Sequence, residues 1–448
     1  MSKYVYPIIL LCLVPLAWAE EESEFKFALP EFDTEYTMPE SQHAPARAAV
    51  WAYVDLGVLI AALLLAAWLI LKVRARPAVY GLMVFSLLYF GFWKEGCICP
   101  VGSLQNIVAA LADPAYGLPA VLAAVFFLPL IFTLFFGRVF CAAVCPLGAV
   151  QDIVALKPLK IPGRLEHILG LFPYLYLGLT VLFAALGAGF IICRHDPYVT
   201  LFRLSGGLTA LTLSVLFLGL GVIIARPYCR YLCPYGALLR VVSRFTKWHA
   251  AITPDECVQC RLCEDSCPFG AIRAPSAERE LEPRRKGMQR IGLILVLLPL
   301  FLGLGAGAGY LLHVPFSKAH RTVALAERVT AENSGQVEGT TLESDAWRGA
   351  GESPADLHAR AQLIRARFRI GSLLFGLFAG LILWGKLLAL STERMRTDYE
   401  PDRMKCVSCA RCFSFCPKEK LRRKKLKQSP QVDKLTSSQD TDTEVTSE

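Results

Sequence analysis

The chain has 448 residues, 54% of them hydrophobic, and a mean hydropathy of +0.44. This composition excludes an ordinary soluble protein and predicts several transmembrane helices. The formal net charge of +9 is informative mainly through its distribution, because Lys and Arg collect in the cytoplasmic loops of membrane proteins. The sixteen cysteines are spaced as metal ligands rather than as the disulfide framework of a small secreted protein.

Residues 1–19 have the pattern of a secretory signal peptide. Lys3 supplies a basic start, an apolar stretch follows, and Ala17-Trp18-Ala19 fits a cleavage site. An uncleaved first membrane span is the alternative. Both interpretations place the acidic segment 20–49 outside the cytoplasm, as a periplasmic N-terminal segment.

Seven apolar stretches follow, each close to the ~20 residues that cross a bilayer. They lie near 50–71, 77–95, 117–136, 168–192, 207–225, 290–312 and 369–390. Basic residues cluster at alternate ends of these stretches, which places one set of loops in the cytoplasm of a bacterial inner membrane. The predicted fold class is therefore an α-helical polytopic membrane protein with about seven transmembrane helices. A five-helix core at 50–248 precedes a two-helix hairpin at 290–390, whose loop 313–368 is predicted to be periplasmic.

The periplasmic loop is expected to be partly helical. Ser353-Pro354-Ala355-Asp356 has the pattern of a helix start, with serine as the cap, proline in the first turn and aspartate near the positive end of the dipole. This helix is expected to continue into the last apolar stretch.

Two four-cysteine runs carry the most specific signal in the chain. Both have the C-x2-C-x2-C-x3-C-P spacing of bacterial ferredoxins, in which the fourth cysteine of each run ligates the other cluster. Two apolar stretches separate the runs, so the halves at 249–289 and 391–420 are predicted to meet on the cytoplasmic face. The sequence therefore predicts two [4Fe–4S] clusters in one split ferredoxin domain. Their ligands would be Cys257, Cys260, Cys263 and Cys416 for the first, and Cys406, Cys409, Cys412 and Cys267 for the second.

A second cysteine system repeats the pattern C-P-x-G-[AS] three times. Cys145, Cys233 and Cys99 are each the first residue of one copy, and an apolar helical pattern follows each copy. The proline and glycine predict a turn, followed by a helix that lies at the membrane surface. The repeats suggest two parallel hairpins related by a pseudo-twofold axis.

These repeated cysteines fall into two predicted groups. Four at the cytoplasmic face could hold a further cluster or metal, or could be small apolar residues at helix ends: Cys141, Cys145, Cys229 and Cys233. Three at the periplasmic face, with a histidine as a fourth ligand, could hold another centre, or could form a disulfide: Cys97, Cys99, Cys193 and His195.

Other chemistries find little support in the sequence. No apolar stretch contains a central pair of histidines that could hold haem, and no nucleotide-binding glycine loop or hydrolase triad is present. The basic run at 418–427 could indicate binding to nucleic acid, but contact with anionic membrane lipid is the simpler interpretation. The tail at 421–448 is expected to be basic and then disordered.

The chain resembles the membrane half of the NosR/NapH family of iron–sulfur electron-transfer proteins over about residues 50–417. The resemblance rests on the two C-x3-C-P motifs, the paired ferredoxin runs, and Gly96-Cys97-Ile98-Cys99-Pro100. It implies an electron-transfer subunit whose partner is a periplasmic flavin-binding or reductase protein. NosR-type proteins carry an external flavin domain, which the short segment 20–49 cannot supply, and no S/T-G-A-T motif is present. No covalent flavin is therefore expected in this chain.

Three functions are compatible with these features. The first is a transmembrane conduit from cytoplasmic clusters, or from a cytoplasmic ferredoxin, to the periplasmic partner. The second is oxidation of quinol, in which the chain would act as a quinol dehydrogenase. The third is a redox sensor or assembly factor for a periplasmic reductase. The direction of electron flow is left open by the sequence.

Overall fold

The computed structural model describes residues 49–96, 99–156, 158–204, 207–252, 257–276, 284–392 and 396–423. The predicted signal peptide, Cys97 and the tail beyond residue 423 lie outside the described residues. The described chain is almost entirely helical, and its strands form a two-stranded antiparallel sheet.

The core region, up to residue 243, consists of twelve described α-helices. They are α1 (Ala49–Trp68), α2 (Arg76–Ser86), α3 (Pro100–Ala112), α4 (Ala120–Phe136), α5 (Pro146–Val154), α6 (Gly163–Leu169), α7 (Phe172–Ala185), α8 (Ile191–His195), α9 (Pro197–Arg203), α10 (Leu208–Ile223), α11 (Pro227–Tyr231) and α12 (Pro234–Ser243). Helices α1 and α2 continue as π-helical turns at Leu69–Val73 and Leu87–Trp93, and a third π-helical turn, Phe140–Val144, precedes α5. Such turns are common at functional sites.

The rest of the described chain contains eight α-helices and both strands. They are α13 (Leu262–Ser266), β1 (Ile272–Arg273), α14 (Arg284–Val296), α15 (Leu298–Leu311), α16 (His313–Ser317), α17 (Arg321–Asn333), α18 (Leu342–Gly349), α19 (Pro354–Ser391), β2 (Glu400–Pro401) and α20 (Arg411–Phe415). Helix α19 begins as the sequence predicts: the Ser353 side chain accepts a hydrogen bond from the Asp356 N–H, and the helix continues without a break into the last apolar stretch.

Among the described residues, four helical segments are long and apolar enough to cross a membrane: Val50–Val73, Gly163–Ala185, Arg285–Leu311 and Pro354–Ser391. They correspond to the first, fourth, sixth and seventh predicted stretches. The third and fifth stretches form the shorter apolar helices α4 and α10, and the second forms α2 with its π-helical turn. That all seven stretches cross the bilayer stays a prediction.

The helices that follow the C-P-x-G motifs pack against other helices of the described chain, and their position relative to the membrane surface stays a prediction. On α5 the residues Pro146 to Ala149 are buried together with Gln151 and Asp152. Helices α3 and α12 are buried at the corresponding positions, and α12 packs against α4 and α7. A helix this short depends for its stability on tertiary packing of its apolar face rather than on intrinsic propensity.

The two ferredoxin halves fold together although a long helical hairpin separates them. Ile272 pairs with Pro401 and Arg273 with Glu400 in the antiparallel sheet, and α13 packs against α20. Phe269, Tyr399 and Val407 form a shared core around which the cysteines of both runs lie. The hairpin between the halves, α15 against α19, is the most extensive helix–helix contact in the described chain.

Candidate iron–sulfur centres

The cysteines assigned to the first ferredoxin cluster surround one cavity. Cys257, Cys260 and Cys263 from the first run line it together with Cys416 from the second, and Ile252 and Tyr399 close its sides. The cavity lies at the junction of the two halves. A cluster that takes three cysteines from one run and the fourth from the other has to lie at this junction. The assignment of these four as ligands stays a prediction.

The second set is more deeply enclosed. Cys267 lies in the shared core, within electrostatic range of Cys406, Cys409 and Cys412. Burial, with a smaller contribution from the neighbouring Cys409 and Cys267 thiolates, raises the pKa of the Cys406 thiol to about 12. Isolated thiolates would therefore be costly at this position, and a bound metal cluster supplies the positive charge that compensates for it.

Both runs have the same unusual backbone conformation. Gln259 and Arg261 have φ of 49° and 62°, and the equivalent Ser408 and Ala410 have φ of 57° and 61°. Non-glycine residues rarely adopt this conformation, and its repetition at matching positions indicates that it serves the site. It turns the backbone around the cysteines, and the Ser408 N–H lies 3.4 Å from the Cys406 Sγ. Both runs are therefore shaped to cradle an anionic group.

The C-x3-C-P cysteines also come together. Cys141, Cys229 and Cys233 all lie within electrostatic range of Cys145. Each of Cys145 and Cys233 occupies the N-cap of a helix whose first residue is proline. A helix N-terminus stabilises a thiolate, so this position suits a ligand.

The glycines of these motifs have a packing role that the repeat explains. A Cβ added to Gly148 would lie 3.1 Å from the Cys141 carbonyl oxygen, and one added to Gly236 would lie 3.3 Å from the Cys229 carbonyl oxygen. The two motifs therefore fold back on their own first cysteine in the same way. Glycine leaves room for that close approach.

Polar groups that the sequence analysis missed contact these sulfurs. The Gln151 Nε2 donates to the Cys229 Sγ at 3.1 Å, and its Oε1 accepts from the Tyr228 N–H at 3.1 Å. The Gly236 N–H lies 3.3 Å from the Cys233 Sγ. Hydrogen bonds to sulfur tune the potential of an iron–sulfur cluster. The sequence contains a sign of these contacts, because Gln151 and Asp152 are the polar residues of an otherwise apolar helix.

Within the described residues, no three His, Cys, Asp or Glu side chains are close enough to hold a single metal ion. Around the first ferredoxin site, the sulfurs instead line the walls of a shared cavity. With the matching turns and N–H donors, this arrangement fits a multinuclear cluster. A 4Fe–4S cluster, when bound, would supply one-electron chemistry at these positions.

A buried ion-pair network links the core to the ferredoxin domain. Asp152 lies 2.7 Å from Arg76 and 3.2 Å from Arg226, and Arg76 also donates to the Cys409 carbonyl oxygen at 3.1 Å. Burial alone would raise the pKa of Asp152, but the two guanidinium groups hold it well below its usual range. The carboxylate is therefore the shared counter-ion of the buried Arg226 and the partly buried Arg76.

Replacing Asp152 with asparagine is expected to destabilise the protein by about 3–5 kcal/mol, because Arg76 and Arg226 lose that counter-ion. Chemical unfolding of the purified protein, followed by circular dichroism, measures the change. Asp345→Asn is the control, since Asp345 pairs with Arg348 at an exposed position and its loss should have a much smaller effect. Equal stability of D152N and the parent chain would contradict this role.

The predicted outer and inner cysteines are closer than the sequence suggests. Cys99, Cys193 and Cys145 line one cavity of about 240 Å³, together with Asp196. A Cβ added to Gly102 would lie 3.5 Å from the Cys193 Sγ. Cys99 and Cys193 are not joined to each other in the described chain, and the choice between a metal centre and a disulfide that includes Cys97 stays a prediction. Cys97 and the His195 side chain are outside the described part of the chain.

Comparison with known proteins supports the iron–sulfur assignment. A family profile described as a 4Fe–4S binding domain matches residues 75–119, 118–164 and 207–252, so each match contains one C-P-x-G copy. A second profile with the same description matches residues 250–273, the first ferredoxin half. No solved structure matches the chain.

Three relatives illustrate the similarity. An uncharacterized protein of Methanocaldococcus jannaschii is 42% identical over 72 residues, 16% of this chain and 29% of that protein. YccM, named as an electron transport protein of Escherichia coli, is 29% identical over 193 residues, 43% of this chain and 46% of YccM. NirI of Paracoccus denitrificans is 24% identical over 208 residues, 44% of this chain and 24% of NirI. The chain thus spans less than half the length of each.

Fold and sites together define an iron–sulfur protein with cysteine-bound 4Fe–4S clusters and long apolar helices typical of a membrane protein. Within that class, the chain is related to YccM and NirI.

Proposed function

We propose that this chain conducts electrons across the membrane, between 4Fe–4S clusters on its cytoplasmic face and a periplasmic flavin- or metal-containing redox partner. The observation that carries the proposal is the shared cavity of Cys145, Cys99 and Cys193, because it joins the inner and outer cysteine groups. Without such a junction, a bilayer of ~30 Å would separate donor and acceptor.

The remaining cysteine groups form a continuous series. Cys412 lies within electrostatic range of Cys263, so the two ferredoxin sites adjoin. Arg226 lies within electrostatic range of both Cys229 and Cys409, so the second ferredoxin site adjoins the C-x3-C-P site. Each electron that leaves a reduced donor at one end would reduce the acceptor at the other, with no bond formed or broken. YccM is named as an electron transport protein, and both that name and the resemblance to NosR/NapH proteins agree with this role.

Full-length protein in liposomes tests the conduit. With dithionite outside and ferric cytochrome c trapped inside, we expect cytochrome c reduction that depends on the protein. The variants Cys99→Ala and Cys193→Ala should slow it at least tenfold while the absorbance of the ferredoxin clusters is retained, because the outer end of the series is broken.

Ser103→Ala provides the matched control, since Ser103 lines the same cavity but carries no sulfur. Its rate should equal that of the parent protein. Unchanged rates in both cysteine variants would exclude this route and favour a sensing or assembly role for the clusters.

A further inference from the structure

A large cavity adjoins the C-x3-C-P site, whose Cys141 and Cys229 form part of its wall, and the proposed conduit gives no role to the rest of it. It has a volume of about 350 Å³. Leu171 and Tyr174, near the start of α7, form one wall, and Ile382 and Ala389 of α19 form another. Met404 of the second ferredoxin half lies at its polar end. The cavity therefore lies between two of the long apolar helices and the cytoplasmic domain.

The cavity has a large excess of positive charge. Eight basic side chains and two carboxylates, Glu166 and Asp402, line it. Four of the basic groups have carboxylate partners: Arg226 pairs with Asp152, Arg230 and Lys405 with Glu166, and Arg273 with Asp402. The other four have no ion-pair partner in the described part of the chain: Arg138, Arg240, Arg244 and Lys386.

Arg138 provides an independent indication of a ligand. Its side chain is only 3% exposed, and its Nε has no hydrogen-bond partner among the described residues. Its other nitrogens contact the Met404 carbonyl oxygen at 3.3 Å and the Cys141 Sγ at 3.9 Å. Arg240 donates to the Arg230 carbonyl oxygen, which carries no formal charge. A buried cation without a carboxylate partner is costly, and the partly buried Arg240 and Lys386 add to the positive charge around the same cavity, so an anion is expected there.

The walls indicate what carries that anion. A free anion needs only the polar end, whereas this cavity continues along apolar side chains of the two long helices. Phosphate is the anion that several arginines bind best, and basic pockets between transmembrane helices on the cytoplasmic side bind anionic lipid headgroups. We propose that the cavity binds the phosphate headgroup of an anionic membrane lipid, with its acyl chains along α7 and α19.

Native mass spectrometry of the full chain, purified from mixed phosphatidylglycerol and phosphatidylcholine vesicles, tests this site. We expect the protein to retain phosphatidylglycerol selectively. The double variant Arg240→Gln/Lys386→Gln should retain at least tenfold less phosphatidylglycerol than the parent protein. Arg348→Gln/Arg360→Gln is the control, because it removes the same charge from exposed positions on α18 and on the first turns of α19, away from the cavity.

Two further measurements keep the result decisive. If the double variant fails to fold, Arg244→Gln replaces it, since Arg244 is exposed at the rim and its loss should still weaken retention severalfold. Inorganic phosphate at millimolar concentration should not displace the lipid. Displacement by phosphate would assign the site to free phosphate, and equal retention of both lipids or by all variants would overturn the proposal.

Discussion

Cys267→Ala is expected to remove the cluster held mainly by Cys406, Cys409 and Cys412 of the second run. The cluster held mainly by Cys257, Cys260 and Cys263 of the first run should be retained. The reason is geometric. Cys267 lies among Cys406, Cys409 and Cys412, whereas Cys416 lines the cavity with Cys257, Cys260 and Cys263. When any one of these eight cysteines is replaced, the iron content should fall by the amount held in one cluster, because three cysteines hold a cubane cluster poorly. The electron paramagnetic resonance spectrum of the reduced protein identifies which cluster remains.

Matched pairs of variants make this test specific. Cys267→Ala and Cys409→Ala should give one spectrum, and Cys416→Ala and Cys260→Ala should give the other. The two remaining clusters are distinguishable because the second site is more deeply buried than the first, where Cys260 is exposed. If Cys267→Ala instead resembled Cys260→Ala, each run would hold its own cluster, and the exchange of fourth cysteines would be wrong.

The ferredoxin domain was largely predictable from the sequence, because its ligand spacing is fixed by the cluster and its two halves carry the same pattern. The start of α19 was predictable for a similar reason: Ser353, Pro354 and Asp356 act through local capping, which needs no tertiary context.

The depth of the C-x3-C-P cysteines was not predictable in this way. Cys145 and Cys99 belong to loops from predicted opposite faces, yet they line one cavity. Their approach depends on α3, α5 and α12 being buried among the longer helices. Periodicity can show that such a short helix has an apolar face, but it does not show which helices that face contacts. The polar Gln151 and Asp152 in α5 were the available hint, since polar side chains in an apolar segment usually have a partner.

The hairpin between the ferredoxin halves depends on four glycines. A Cβ added to Gly305 would lie 2.2 Å from the Gly376 carbonyl oxygen, and one added to Gly380 would lie 2.3 Å from the Phe301 carbonyl oxygen. A Cβ on Gly309 or Gly376 would meet backbone at 2.1 Å. The backbones of α15 and α19 are thus in direct contact, as small residues permit in membrane helix pairs. No side-chain movement can relieve an added methyl group at these positions.

Replacing Gly305 and Gly309 with alanine is therefore expected to separate α15 from α19, at a cost of about 1–3 kcal/mol for each substitution. Because the hairpin connects the two ferredoxin halves, its loosening should also lower the iron content of the purified protein. Gly307→Ala is the matched control on the same helix: nothing lies within 4 Å of its added Cβ, and alanine favours helix. Detergent unfolding followed by circular dichroism, with iron analysis, compares the variants. Equal stability and iron content of G305A/G309A and G307A would show that the close approach of these backbones does not hold the ferredoxin halves together.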